Sequence, residues 1–316
     1  MKKFLIFCFL AILIAIATSS TIEQDIKTKV QLGERLFFDP ILSRNNKISC
    51  ADCHKPDLAF ADSVAISPGV SGKTGKRNAP SVMNMASRNI FFYDGRANTL
   101  SDQVHFPIED PVEMDFTMKE VVNRLSKHIA YKNYFTTIYN ELPNEHNIAD
   151  AIAAYEETLE TANTEFDAWM NDRPNKMSAA AIRGRNIFLS EKAKCFDCHF
   201  SPDFTVDQFK NIGLYDDNTY KDKGRYLVTK NETDLGKFKV PGLRNVAVTA
   251  PYMHDGSFKT LDQVIEYYSD PYKFITRPIN MDPSLIKPIN FTDQEKTDLK
   301  AFLLSLTDRR FYKYKL

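Results

Sequence analysis

Two pentads, "CADCH" at residues 50–54 and "CFDCH" at 195–199, hold four of the five cysteines of this 316-residue chain, and each ends in a histidine. Three chemistries use cysteines at this spacing: a zinc clip, a redox dithiol, and covalent attachment of haem. A thioredoxin-type dithiol needs a βαβ setting and has no use for the histidine. Zinc needs a fourth ligand, yet the pentads stand 145 residues apart (Cys50 to Cys195) and neither has another ligand close by. Haem uses every member. Cys50 and Cys53, like Cys195 and Cys198, add across the vinyl groups, while His54 and His199 reach the irons as proximal ligands. The sequence therefore predicts two covalently attached c-type haems.

The compartment agrees. Lys2 and Lys3 precede an apolar run from Phe4 to Ala17, followed by small polar residues. This reads as a cleaved secretory signal over residues 1–20, too short to cross a bilayer core of ~30 Å. The fifth cysteine, Cys8, lies inside that run. Export would place the protein in the periplasm. Lysine plus arginine and aspartate plus glutamate number 41 each. That balance gives no basic surplus for nucleic acid and no acidic tail.

The elements that must position the pentads repeat. "LGERLFFD" (32–39) leads into the first and "IRGRNIFLS" (182–190) into the second. Downstream, "PSVMNMA" (80–86) matches "PGLRNVA" (241–247), and "FFYDGRANTLSDQV" (91–104) matches "YMHDGSFKTLDQV" (252–264), which pairs Gln103 with Gln263. Apolar residues fall at helical spacing in "MKEVVNRLSKHI", "IADAIAAYEETLETANTEFDAWM" and "DQEKTDLKAFLLSLT". Asp150, ahead of an alanine-rich run, marks a helix start. The expectation is a mostly α chain of two cytochrome c-like haem domains related by internal duplication. They would span 21–164 and 165–316, with long ordered loops around 60–80 and 200–250 wrapped over the haems.

With "RNAPS" (77–81), "DPVEM" (110–114) and "APYMHDGSFKTLDQVIEYY" (250–268) added, the chain resembles the bacterial di-haem cytochrome c peroxidases and their MauG-like relatives. The resemblance implies a peroxidatic first haem on His54 and an electron-transfer second haem on His199. It places the distal glutamine and glutamate at Gln103 and Glu113, with Pro107 in the pocket wall. Peroxide cleavage needs a group to move a proton between oxygens and a dipole to hold the substrate, which suits both residues. The resemblance also implies one calcium ion, held by oxygens of Asn78, Thr249 and Pro251. His254 would stand near the haem propionates.

Three departures from the family pattern follow. The loop after the first pentad, "VAISPGVSGKTGKRNAP", has no histidine to cap the first iron, and His105 and His128 are the substitutes considered. Tyr93 stands where the family usually has a tryptophan between the haems, so it becomes the expected electron relay. The single tryptophan, Trp169, is expected to pack. The distal ligand of the second iron falls on Tyr268 by family register, beside Tyr267, with Met253 as the alternative.

The expected function is an exported peroxidase that reduces hydrogen peroxide with electrons from a small cytochrome c or copper protein, entering through the second haem. The alternatives are a MauG-like oxidation of a protein or organic substrate, and a non-catalytic electron carrier. Relatives of this kind are often homodimers.

Overall fold

A computed structural model describes residues 25–174 and 176–314, so the export signal read at 1–20 lies outside the described residues. The chain is mostly helical. Its first half runs through α1 (Lys29–Phe38), α2 (Cys50–Cys53), α3 (Leu100–Glu109), α4 (Met118–Lys127), α5 (Ile129–Tyr139) and α6 (Glu145–Glu156). The second half holds α7 (Glu165–Met170), α8 (Ala179–Phe188), α9 (Tyr226–Thr229), α10 (Leu261–Ser269) and α11 (Asp293–Ser305). Among the described residues the only sheet pairs β1 (Phe209–Lys210) with β2 (Phe238–Lys239), antiparallel.

Short polar caps set most of these boundaries. Thr28, Thr117, Thr164, Thr260 and Thr292 each accept a hydrogen bond from the third residue of their helix, whose own side chain returns one. α6 starts earlier than the sequence suggests. Asn144 is its cap, and Asp150 lies inside the helix, accepting from Lys29 Nζ and Tyr139 Oη. The helical pattern of 148–170 also breaks between α6 and α7, where Thr164 caps a new helix.

Two hydrophobic clusters form the interior. One gathers residues from Ile26 to Leu159 around α1 and α6, the other residues from Phe166 to Leu306 around α8 and α11. Phe311 returns from the C-terminal segment to the first cluster. In each, a glycine lets two helices touch: a Cβ on Gly33 would lie 1.8 Å from the Ala151 carbonyl oxygen, and one on Gly184 1.8 Å from that of Asp298. The halves share other details. Asn84 and Asn245 both take positive φ, and their N–H groups donate to the carbonyls of Leu159 and Leu306. Phe91 bridges Ala97 around Gly95 as Tyr252 bridges Phe258 around Gly256, both glycines at positive φ.

Salt bridges tie the halves together. Arg77 holds Asp94 at 2.6 Å and Asp222 at 2.7 Å, and Arg88 holds Asp203 at 2.7 Å and Asp207 at 3.1 Å. Fork-like guanidinium contacts of this sort fix orientation as well as distance.

Candidate functional site

Each pentad is wound tightly at its cysteines and presents its histidine beyond the turn. Cys50–Cys53 form α2, capped by Ser49, and the N–H of His54 donates to the Cys50 carbonyl at 2.8 Å. Cys195–Asp197 form a 3-10 turn, and the N–H of His199 donates to the Cys195 carbonyl at 2.9 Å. Both imidazoles are anchored through Nδ1. His54 faces the carbonyls of Phe60 and Pro80, each at 3.1 Å, and His199 that of Phe204 at 2.9 Å. Phe60 and Phe204 both take positive φ, which turns those carbonyls inward. A donor N–H at Nδ1 leaves Nε2 with its lone pair free, the arrangement a metal-ligating histidine requires. Burial holds both imidazoles below the usual histidine range, hence neutral.

The four thiols are unpaired, and burial pushes Cys53 up to about 11 and Cys195 to about 12. A working dithiol has the opposite tendency. No three histidine, cysteine or carboxylate side chains among the described residues are gathered closely enough to share one ion.

Both pentads open onto one continuous cavity of about 1660 Å³. Pockets for single small molecules run to roughly 300–1,000 Å³. A space this large and apolar, bordered at two places by a Cys-Cys-His set, fits two haems.

The cavity lining includes Gln103, Pro107 and Glu113, and the Glu113 charge reaches the Cys53 thiol of the first pentad. Gln103 and Pro107 are one turn apart on α3. The chain then folds back on that helix, with the N–H of Met114 donating to the Pro107 carbonyl at 3.1 Å and that of Phe116 to Ile108 at 2.9 Å. Glu113 is held by its own N–H to the Asp110 carbonyl at 3.0 Å and by the Val70 N–H on its carbonyl at 2.7 Å. Burial, then the charge of Asp110, raise its carboxyl above the ordinary range, with Arg96 opposing. A carboxyl raised in this way gives up its proton less readily and is the better placed to hand one back.

The pairing of Gln103 with Gln263 needs correction. Counted from the caps Thr99 and Thr260, Gln263 matches Asp102 rather than Gln103. Gln263 is exposed and closes the cap of α10, its Oε1 accepting from Lys259 N–H at 2.7 Å. Gln103 instead matches Val264, and Pro107 matches Tyr268. Thus a ring with no polar atom stands on the first side where a phenol stands on the second.

Tyr268 and Met253 both border the cavity. Burial raises the Tyr268 phenol, and the nearby thiols of Cys195 and Cys198 add to it, placing the ring beside the second pentad. Tyr267 is spoken for, donating to the Ile212 carbonyl at 2.7 Å. Met253 sits at positive φ in the turn matched by Phe92 in the first half.

Tyr93 borders the cavity where the halves meet, its carbonyl accepting from Lys239 N–H at 2.7 Å. His254 is buried and stacks on Phe238 with centroids 3.8 Å apart. Its carbonyl accepts from the Asn78 N–H at 2.8 Å. The Asn78 amide donates to the carbonyls of Val64 and Ala65, each at 3.1 Å, so its oxygen is the end available to a cation. Thr249 and Pro251 border the same cavity, a neutral oxygen set with no carboxylate among the three. Among the histidines weighed as a cap, His105 borders the cavity, whereas His128 caps α5 edge-on to Tyr131. Trp169 packs on the second cluster under Arg185.

Two features escaped the sequence. Arg77 was passed over beside Asn78, because its partners Asp94 and Asp222 lie 17 and 145 residues away. Glu156 was hidden in "YEETLE", where helical period alone does not tell a buried acid from its exposed neighbours.

The chain is similar to known proteins over most of its length. Residues 27–175 match the family model described as di-haem cytochrome c peroxidase. A cytochrome c peroxidase of Escherichia coli is 39% identical over 75% of this chain, and the match spans 52% of that protein's length. The methylamine utilization protein MauG of Methylorubrum extorquens is 35% identical over 88% of this chain and 78% of its own. A crystal structure of a MauG-like protein associated with microbial copper homeostasis superposes with a TM-score of 0.81, at 32% identity, over 90% of this chain and 92% of that one.

Proposed function

The chain belongs to the di-haem cytochrome c peroxidase family, an enzyme family of haem peroxidases, and from that premise we propose that it reduces hydrogen peroxide to water with electrons from a small redox protein. The two haems would be held by Cys50, Cys53 and His54 and by Cys195, Cys198 and His199. Bound there, they supply one-electron chemistry and an open coordination position. Reduction consumes one peroxide, two electrons and two protons and yields two waters. The carboxylate of Glu113 takes a proton from one peroxide oxygen and returns it to the other as the O–O bond breaks. The Gln103 carboxamide holds the peroxide by hydrogen bonding, and Pro107 leaves room for it.

The observation that carries this reading is that Gln103, Glu113 and the first pentad line the same cavity, with the Glu113 charge reaching the Cys53 thiol. The remaining assignments are proposals too. The two clusters and their matched details support two duplicated domains divided near residue 165. Tyr93 supports electron passage between them, and Tyr268 supports a phenolic ligand at the second iron. Asn78, Thr249 and Pro251 would hold calcium. No described helix is long and apolar enough to cross a membrane, and export to the periplasm rests on residues 1–20.

A second reading, oxidation of a protein or organic substrate as in the MauG-like branch, draws on Tyr268 and on the absence of a histidine in the loop after the first pentad. One experiment tests both the open site and its reactivity: hydrogen peroxide added to the fully oxidised holoprotein in a stopped-flow spectrometer. A prompt optical change without prior reduction is expected. A protein inert until one haem is reduced would overturn the open site and make His105 the first suspect as its cap.

A further inference from the structure

Glu156 closes α6 on the cavity wall, 5% exposed, and its Oε2 has no hydrogen-bond partner. The second half shows what that place otherwise holds. Gly33 meets Ala151 as Gly184 meets Asp298. The N–H of Asn84 reaches Leu159 as that of Asn245 reaches Leu306. The side-chain oxygen of Asn84 accepts from Thr161 as that of Asn245 accepts from Asp308. Each of these pairs is 147 residues apart (298 − 151, 306 − 159, 308 − 161), and the same step carries Glu156 to Leu303. Leu303 also borders the cavity. A carboxyl therefore stands at the first haem position where hydrocarbon stands at the second.

Leaving a carboxylate buried and unpaired is costly, so the group rests neutral. Burial alone pushes it up to about 8, with no cation offsetting it. Cations do line the cavity, Arg77, Arg88 and Arg96 among them, but Arg77 and Arg96 pair with Asp94, and Arg88 pairs with Asp203 and Asp207. Cys50 on α2, His105 and Glu109 on α3, and Glu113 border the same cavity. Glu34 of α1 acts on the neighbouring Tyr155. On α4, Arg124 is engaged by the carbonyls of Ile41 and Ser43. Glu156 is close to the attachment point itself, since its charge raises the Cys50 thiol second only to burial.

We propose that Glu156 is a proton site linked to the first haem, holding its proton while that haem is reduced and releasing it when the haem is oxidised. On oxidation one electron leaves the haem, for peroxide in turnover or an electrode in titration. One proton leaves the carboxyl for solvent, so the charge of the pocket is unchanged. The benefit is local: a low-dielectric pocket resists a net gain of positive charge, and carboxylate formation cancels it. This inference rests on haem attachment at residues 50–54.

The test is a spectroelectrochemical titration of the holoprotein from about pH 5 to 9, the range over which a carboxyl this far raised changes state. Wild type, Glu156→Gln and Glu156→Leu are compared after haem content is measured. In wild type the first haem's midpoint potential should fall by up to about 59 mV per pH unit, a tenfold change in equilibrium constant per unit. That fall should be lost in both variants, while the second haem's pH dependence stays as in wild type. An identical slope in wild type and variants overturns the proposal. A wild type carrying no haem at the first pentad overturns instead the attachment on which it rests. Proton release on oxidation of wild type in weak buffer gives an independent reading: close to one proton near neutral pH supports the linkage, and none refutes it even if neither variant folds.

Discussion

Replacing Glu113 with glutamine tests the proposed peroxide chemistry most directly. The substitution keeps the shape of the side chain and the backbone bonds to Asp110 and Val70 that position it. Gln103 is untouched, so the dipole that holds peroxide remains and only the proton relay is lost. Acid–base assistance contributes roughly 10²–10⁴-fold, so peroxide turnover should fall by that factor, about 3–5 kcal/mol of barrier. The pH profile should change with it. Burial and Asp110 raise the Glu113 carboxyl, and the relay needs the ionised form. Wild-type activity is therefore lost as pH falls through that raised value, on an acidic limb above the ordinary glutamate value of ~4.3. The limb should vanish in Glu113→Gln. Stability works the other way. The folded state binds this proton more tightly than the unfolded chain, so the ionisable side chain costs stability above the unfolded value, and the amide removes that cost. The variant should melt no lower than wild type at neutral pH. Steady-state peroxide assays across pH, with haem content and melting measured in parallel, check all three. Turnover within about threefold of wild type, with both haems attached, lies far outside the acid–base range and would sink the assignment.

Other expectations follow from the packing. Gly33→Ala and Gly184→Ala each drive a methyl into a carbonyl of the facing helix, at 1.8 Å before relaxation. Each should cost about 1–3 kcal/mol, seen as a lower denaturant midpoint. Arg77→Ala leaves Asp222 without its guanidinium across the junction of the halves. It should destabilise by roughly 3–5 kcal/mol and speed limited proteolysis between them. Tyr268→Phe should alter the optical spectrum of the second haem alone, and Met253→Leu should not; the reverse outcome would make Met253 the ligand.

The proposed haem attachment sites could be read in the sequence because covalent attachment demands neighbouring residues. Cys50, Cys53 and His54 must lie on one tight turn, so their chemistry is written within five letters. The helix starts at Thr28, Thr117 and Thr292 rest on equally local contacts, yet the one start read from the sequence, Asp150, lies inside α6 behind the Asn144 cap. Gln103 and Glu113 were found through family likeness, and their physical tie comes from the fold-back of residues 110–116 on α3. What the sequence left open depends on distance in space. The register between Gln103 and Gln263 slips by one residue, and only the caps at Thr99 and Thr260 count it correctly. Arg77 finds Asp222 across the junction, and Tyr268 is separated from Tyr267 by which ring meets a carbonyl and which meets the cavity. Glu156 and Glu157 are neighbours of the same type, one enclosed and one in water. Burial and the absence of a counter-charge belong to the assembled cavity, and only the tertiary structure could decide them.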